Sequence, residues 1–190
     1  MGMLYSRLNS IFRRLLLSGL LAASMLTVSL LTGKEALADG HVVDNIKTVY
    51  IYNFLSFIQW PEHKSTSAEY RLCTLADQAL VDKLTAVVKD EQMNGRSLIV
   101  VPYRYVSEAE NCHLIYLQES ALSEADSLLD FDQPGTLLIG DADGFVSGGM
   151  GMVGFETRGR KVRVAMNLTR LQEAGFKVSS KLLRLVRIER

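Results

Sequence analysis

Proline is scarce in this chain, with 3 residues in 190, and cysteine occurs only twice. There is no low-complexity tract, internal repeat or linker, which excludes disorder and favours one domain. Charge of one sign is lacking too, since 21 basic residues balance 21 acidic ones. Histidine is limited to His41, His63 and His113. Gly-x-Ser-x-Gly, His-Glu-x-x-His and metal-spaced Cys/His clusters are all missing. The expectation is a non-enzyme, with no catalytic residues, no cofactor and no metal.

The N-terminus carries what the rest lacks. Arg7, Arg13 and Arg14 precede an uncharged stretch from Leu15 to Thr32, and Ala36-Leu37-Ala38 closes it with small residues. This is the pattern of a secretory signal peptide over residues 1–38, cleaved after Ala38 to leave a periplasmic domain over 39–190. An uncleaved membrane anchor is the rival reading, because the stretch is just long enough to span a bilayer. Met1-Gly2 with Ser6 fits a myristoylation pattern, but the arginine pair and apolar run that follow are export grammar. Without residues 1–38 the chain keeps 17 basic and 20 acidic residues. A net charge near −3 leaves no footprint for nucleic acid or an anionic membrane surface.

In an oxidising compartment the pair Cys73 and Cys112 reads as a disulfide rather than two free thiols. Redox catalysis usually needs Cys-x-x-Cys, which is absent.

Apolar residues at steps of three and four (Val43, Ile46, Val49, Tyr50, Phe54, Phe57, Ile58) predict a helix from Val42 to Trp60, ended by Pro61. Strands are expected at Tyr70–Leu75, Ser97–Tyr103, Cys112–Leu117 and Thr136–Gly140. Helices are expected from Asp77 to about Lys89 and over Ser120–Leu129. Two further strands, Met152–Glu156 and Lys161–Met166, turn at Gly159. A short helix over Leu168–Ala174 and a final helix capped by Ser179 complete the chain. The fold class is α/β: a single-domain layered sandwich with a mixed, largely parallel sheet and a C-terminal β-hairpin plus helices.

Three motif matches mislead. Gly149, Gly151 and Gly154 fit a dinucleotide fingerprint, yet strand-like residues follow where a helix is required. Asp141-x-Asp143-Gly144 opens like a calcium loop but lacks the later ligands. The sequon at Asn167 lies in an apolar strand-like run that has no room for a glycan. As candidate partner-binding residues there remain Trp60 at the helix end, Phe145 in a Gly/Asp loop, and Arg158 and Arg160 at the hairpin tip; the alternatives are that both aromatics cap the core and that the tip is simply solvated.

Several separated segments resemble the YfiR-like family of periplasmic regulators. They are Ile51–Pro61, Arg71–Cys73, Gly95-Arg96, Cys112-His113, Gly148-Gly149-Met150, Val162–Asn167 and Val178–Arg184. The resemblance implies a regulatory binding protein that holds an inner-membrane diguanylate cyclase, or a related sensor, inactive through its periplasmic domain. An outer-membrane lipoprotein would capture the regulator and so raise cyclic di-GMP and biofilm formation. The family's cysteine pair falls on Cys73 and Cys112, whereas a second pair that some members carry near the glycine loop is absent. Three alternatives stay open: a periplasmic small-ligand-binding protein, a hydrolase using His113 or His63, and a homodimeric state.

Overall fold

The helix that opens the domain buries a lysine as well as its apolar residues, and this sets how the domain is built. The computed structural model describes residues 40–62, 68–104, 109, 111–120 and 134–189. The export segment, His63 and nearly all of the expected helix over Ser120–Leu129 lie outside the described residues.

Helix α1 covers residues 40–57. Its inner face is Val43, Lys47, Thr48, Ile51, Phe54 and Leu55, while Val49 is 54% exposed. The apolar spacing alone sets that face one position off, because it cannot credit a lysine whose charge is matched inside. Pro61 does not end the helix directly. Strand β1 (Ile58–Gln59) intervenes and pairs antiparallel with β9 (Lys177–Val178).

The main sheet contains β2 (Glu69–Leu75), β3 (Gln92–Met93), β4 (Arg96–Pro102), β5 (Leu114–Leu117), β6 (Leu137–Gly140), β7 (Val153–Arg158), β8 (Lys161–Asn167) and β10 (Arg187–Glu189). Their order is β10-β8-β7-β6-β5-β2-β4-β3, with only β3–β4 and β7–β8 antiparallel. The expected largely parallel α/β sheet is therefore the observed one. β5 and β6 are buried along their whole length, as central parallel strands are. β4 is only half-buried, since nothing but two-residue β3 lies outside it in the described sheet.

Alternating side chains give the sheet two apolar faces. On one, Leu72, Leu114, Tyr116, Ile139 and Phe155 meet α1, α2 (Gln78–Val88) and α3 (Leu168–Glu173). Asp77 caps α2 by accepting from the Leu80 backbone N–H at 2.9 Å. On the other face, Cys73, Ile115, Leu117 and Leu138 pack with Phe145 and Val146 from the loop after β6. The expected disulfide is present there, joining Cys73 of β2 to Cys112 just before β5, with Cα atoms 5.8 Å apart.

The hairpin forms as the sequence indicates, but β7 runs on through Thr157 and Arg158, so the turn is Gly159-Arg160 rather than the four residues 157–160, with Gly159 at φ +58°. Asn167 ends β8 and caps α3 through a bond from the Arg170 N–H at 2.9 Å, so the sequon's asparagine already serves the fold. The C-terminus corrects an expectation. Ser179 does cap a helix, but α4 (Ser180–Leu183) is a single turn, and the chain continues as β10, parallel to β8. Leu182 is buried whereas Leu185 is 71% exposed, so the apolar run does not form one helical face. Spacing over so short a run does not distinguish helix from strand.

Candidate functional site

Arg158 ends β7 directly opposite Lys161 of β8, and Glu156 lies opposite Arg163. Residues two apart on each strand share a face, so all four side chains project together and line a cavity of about 350 Å³. Arg187 of β10 reaches into this strip to pair with Glu156 and also meets Glu189 at 2.7 Å. Arg160 occupies the exposed turn and does not line the cavity. Lys161 and Arg163 were missing from the sequence candidates. The register reveals them: the two-residue turn and period-two alternation bring positions 156, 158, 161 and 163 to one side.

Trp60 and Phe145, which the sequence leaves open between partner anchors and core caps, are both buried. Trp60 is 8% exposed; its indole Nε1 donates to the His113 carbonyl at 2.8 Å, and its ring meets Tyr70 and Phe176 edge-on. A Trp N–H paired with a backbone carbonyl satisfies its polar group inside the core. One edge of Trp60 still borders a groove of about 630 Å³ with Tyr52, Ser56, Gln59, Gln92 and Asn94. His113 is buried with its Nδ1 accepting from the Arg71 backbone N–H at 3.2 Å, and its ring lies 4.7 Å from that of Tyr70. His41 is exposed on α1.

Phe145 is 2% exposed, and glycines make the space for it. A Cβ added at Gly140 would stand 2.6 Å from the phenylalanine ring, and one at Gly151 would collide with it. Gly154 similarly admits Val146. The glycine run therefore packs a loop onto the sheet, and strand β7 follows it rather than the helix a dinucleotide site needs.

Asp141, the start of the apparent calcium loop, has another role. Its carboxylate accepts from the Lys47 ammonium, from the Tyr116 hydroxyl at 2.7 Å and from the Glu119 N–H at 2.5 Å. Burial first, and then the Asp141 charge and hydrogen bond, push the Tyr116 hydroxyl well above the usual tyrosine range. Among the described residues no three His, Cys, Asp or Glu side chains converge on a metal-sized site. No helix among them is long and apolar enough to cross a membrane.

Four of the segments that carry the family resemblance, those holding Trp60, Arg71, Arg96 and His113, meet in space around Tyr70. Trp60, Tyr70, Arg96 and His113 form one contact chain, in which the Arg96 guanidinium lies 3.7 Å from the Tyr70 ring centre. On the opposite face Cys73–Cys112 ties β2 to the residues just before β5. The sequence profile of YfiR/HmsC-like proteins matches residues 44–187, from the first turns of α1 to the start of β10. The chain belongs to the YfiR/HmsC-like family. Comparison with curated proteins gives no match. The family match covers both faces of the sheet, the disulfide, the glycine-packed loop and the basic hairpin.

Proposed function

We propose that this YfiR/HmsC-like protein is a periplasmic regulatory binding protein. It docks on the periplasmic sensor domain of an inner-membrane diguanylate cyclase, or a related sensor, and represses cyclic di-GMP signalling. Residues 1–38 direct export and are removed after Ala38, and an outer-membrane lipoprotein captures the regulator to release the cyclase. The observation that carries this reading is the family match over residues 44–187. The Cys73–Cys112 disulfide supports it, because such bonds persist in oxidising compartments. Repression needs no chemistry by the regulator. It needs only tighter binding to the inactive receptor, and a few kcal/mol of difference suffices.

The test is a clean deletion combined with in-cell crosslinking. Deletion is expected to raise cyclic di-GMP, and crosslinking is expected to recover a membrane protein with a periplasmic sensor and a cytoplasmic cyclase domain. Unchanged cyclic di-GMP together with no such protein recovered would sink the reading.

The groove beside Trp60 favours a second reading, a periplasmic small-ligand binder. A ligand in that groove would raise the melting temperature, and further with the logarithm of its concentration above Kd. No stabilisation by nucleotides or amino acids at millimolar concentration, on the order of the weakest useful affinities, counts against it.

A further inference from the structure

β10 covers only part of β8. The paired residues are Ala165–Asn167 beside Arg187–Glu189. Residues Lys161 to Val164 pair with β7 on one side and, among the described residues, with no strand on the other. Among the described residues this stretch is therefore a sheet edge, where every second residue turns its backbone donor and acceptor outward.

The edge has a marked charge. Arg158, Lys161 and Arg163 are exposed on one face of the hairpin, while Val162 on the other face packs against the core. Glu156, the carboxylate among them, is already engaged by Arg187. Cations on an edge keep copies of one chain apart. A second copy added antiparallel about Val162 would set Lys161 opposite Arg163 twice, and like charges directly opposite destabilise a strand pair. The same cations favour a strand that brings carboxylates.

We propose that this edge receives, by strand addition, an extended segment of the protein partner in which acidic and aliphatic residues alternate. Its carboxylates face Arg158, Lys161 and Arg163, its aliphatic side chains lie on the Val162 side, and its backbone completes the open ladder. The inference rests on the reading of the protein as a receptor-binding regulator, and it names the surface used.

The test uses the full-length protein and a labelled synthetic peptide of alternating Glu and Val, followed by fluorescence anisotropy. Two controls are an alternating Lys/Val peptide and the Glu/Val peptide N-methylated at alternate residues. Only the unmodified acidic peptide is expected to bind, with new exchange protection of the Val162 and Val164 amides, which alternate with those already bonded to β7. The R158E/K161E/R163E variant is expected to weaken binding about tenfold or more. If that variant is misfolded by circular dichroism, the all-glutamine triple variant replaces it. Equal binding of acidic and basic peptides, binding unchanged by the variant or by N-methylation, or no binding overturns the proposal. In cells, a triple variant that still represses cyclic di-GMP and still crosslinks to the receptor also overturns it, while leaving the regulatory reading intact. Loss of that broader reading would appear instead as no effect of deleting the whole gene.

Discussion

Lys47 and Asp141, 94 positions apart in sequence, form a buried ion pair that fastens α1 to the carboxyl end of β6. Asp141 also holds Tyr116 of β5 and the Glu119 backbone, so one carboxylate joins a helix, two neighbouring strands and the segment after β5. A buried pair of this kind is costly to break from one side, because the surviving charge loses its partner in a low-dielectric site. Lys47→Met is expected to destabilise the domain by about 3–5 kcal/mol in urea unfolding. Replacing both partners with apolar residues is expected to cost less than the two single changes together. Strict additivity would show that the two side chains act independently.

The disulfide acts on the unfolded chain. Cys73 and Cys112 are separated by 39 positions, and closing a loop of that length is worth about 4 kcal/mol in the chain-entropy model. The double substitution Cys73→Ala and Cys112→Ala is expected to lower stability by roughly 2–5 kcal/mol. Wild-type protein under strong reductant is expected to fall to nearly the same value. A midpoint unmoved by reductant would mean that the native packing on that face does not depend on the covalent link.

Much of this architecture is legible in the sequence, and the exceptions have physical causes. The apolar runs in β5 and β6 announce central strands, Asp77 announces a cap, and Gly159 announces a tight hairpin. Apolar spacing misplaces the inner face of α1 because Lys47 is buried by a partner distant in sequence. The C-terminal Leu/Val run is too short for its period to decide between helix and strand, and it is pairing with β8 that makes residues 187–189 a strand. At the candidate site, Arg158 is visible as a hairpin cation, whereas its grouping with Lys161 and Arg163 depends on register. The sequence leaves Trp60 and Phe145 open between surface anchors and core caps, and the Trp60–His113 bond and the glycines around Phe145 show why the core accepts them.

The cap at Asp77 predicts a pH signature. Burial works against its charged form, but bonds from the Leu80 N–H and the Gln118 side chain, with weaker help from the Ala79 N–H and the Lys83 charge, hold its carboxyl below the usual 3.8. A carboxyl depressed in the folded state adds stability that is present above its unfolded value and lost as pH falls through the folded one. Asp77→Ala is expected to cost about 1 kcal/mol near neutral pH, and less as the pH is taken below the usual carboxylate range and through the lowered folded value. Asp77→Asn keeps the side-chain acceptor without the charge, so its smaller cost is expected to vary little with pH. Guanidinium unfolding at several pH values distinguishes the two.

The loop after β6 predicts a coupled pair. Phe145 and Val146 cover a sheet face, and Gly151 is where the loop backbone passes against the Phe145 ring. Any side chain at Gly151 must displace that ring, and overpacking a well-filled site typically costs about 1–3 kcal/mol. Gly151→Ala is therefore expected to destabilise the domain by that amount even though alanine changes only one methyl group. Phe145→Leu removes the edge of the ring that the new Cβ would strike, so the double variant is expected to be more stable than the two single costs predict, by about 1 kcal/mol. Thermal unfolding of the four proteins in the cycle measures this coupling directly. A coupling of zero would mean that Gly151 serves its own backbone conformation rather than the ring, and the glycine run would lose its role as the seat of Phe145.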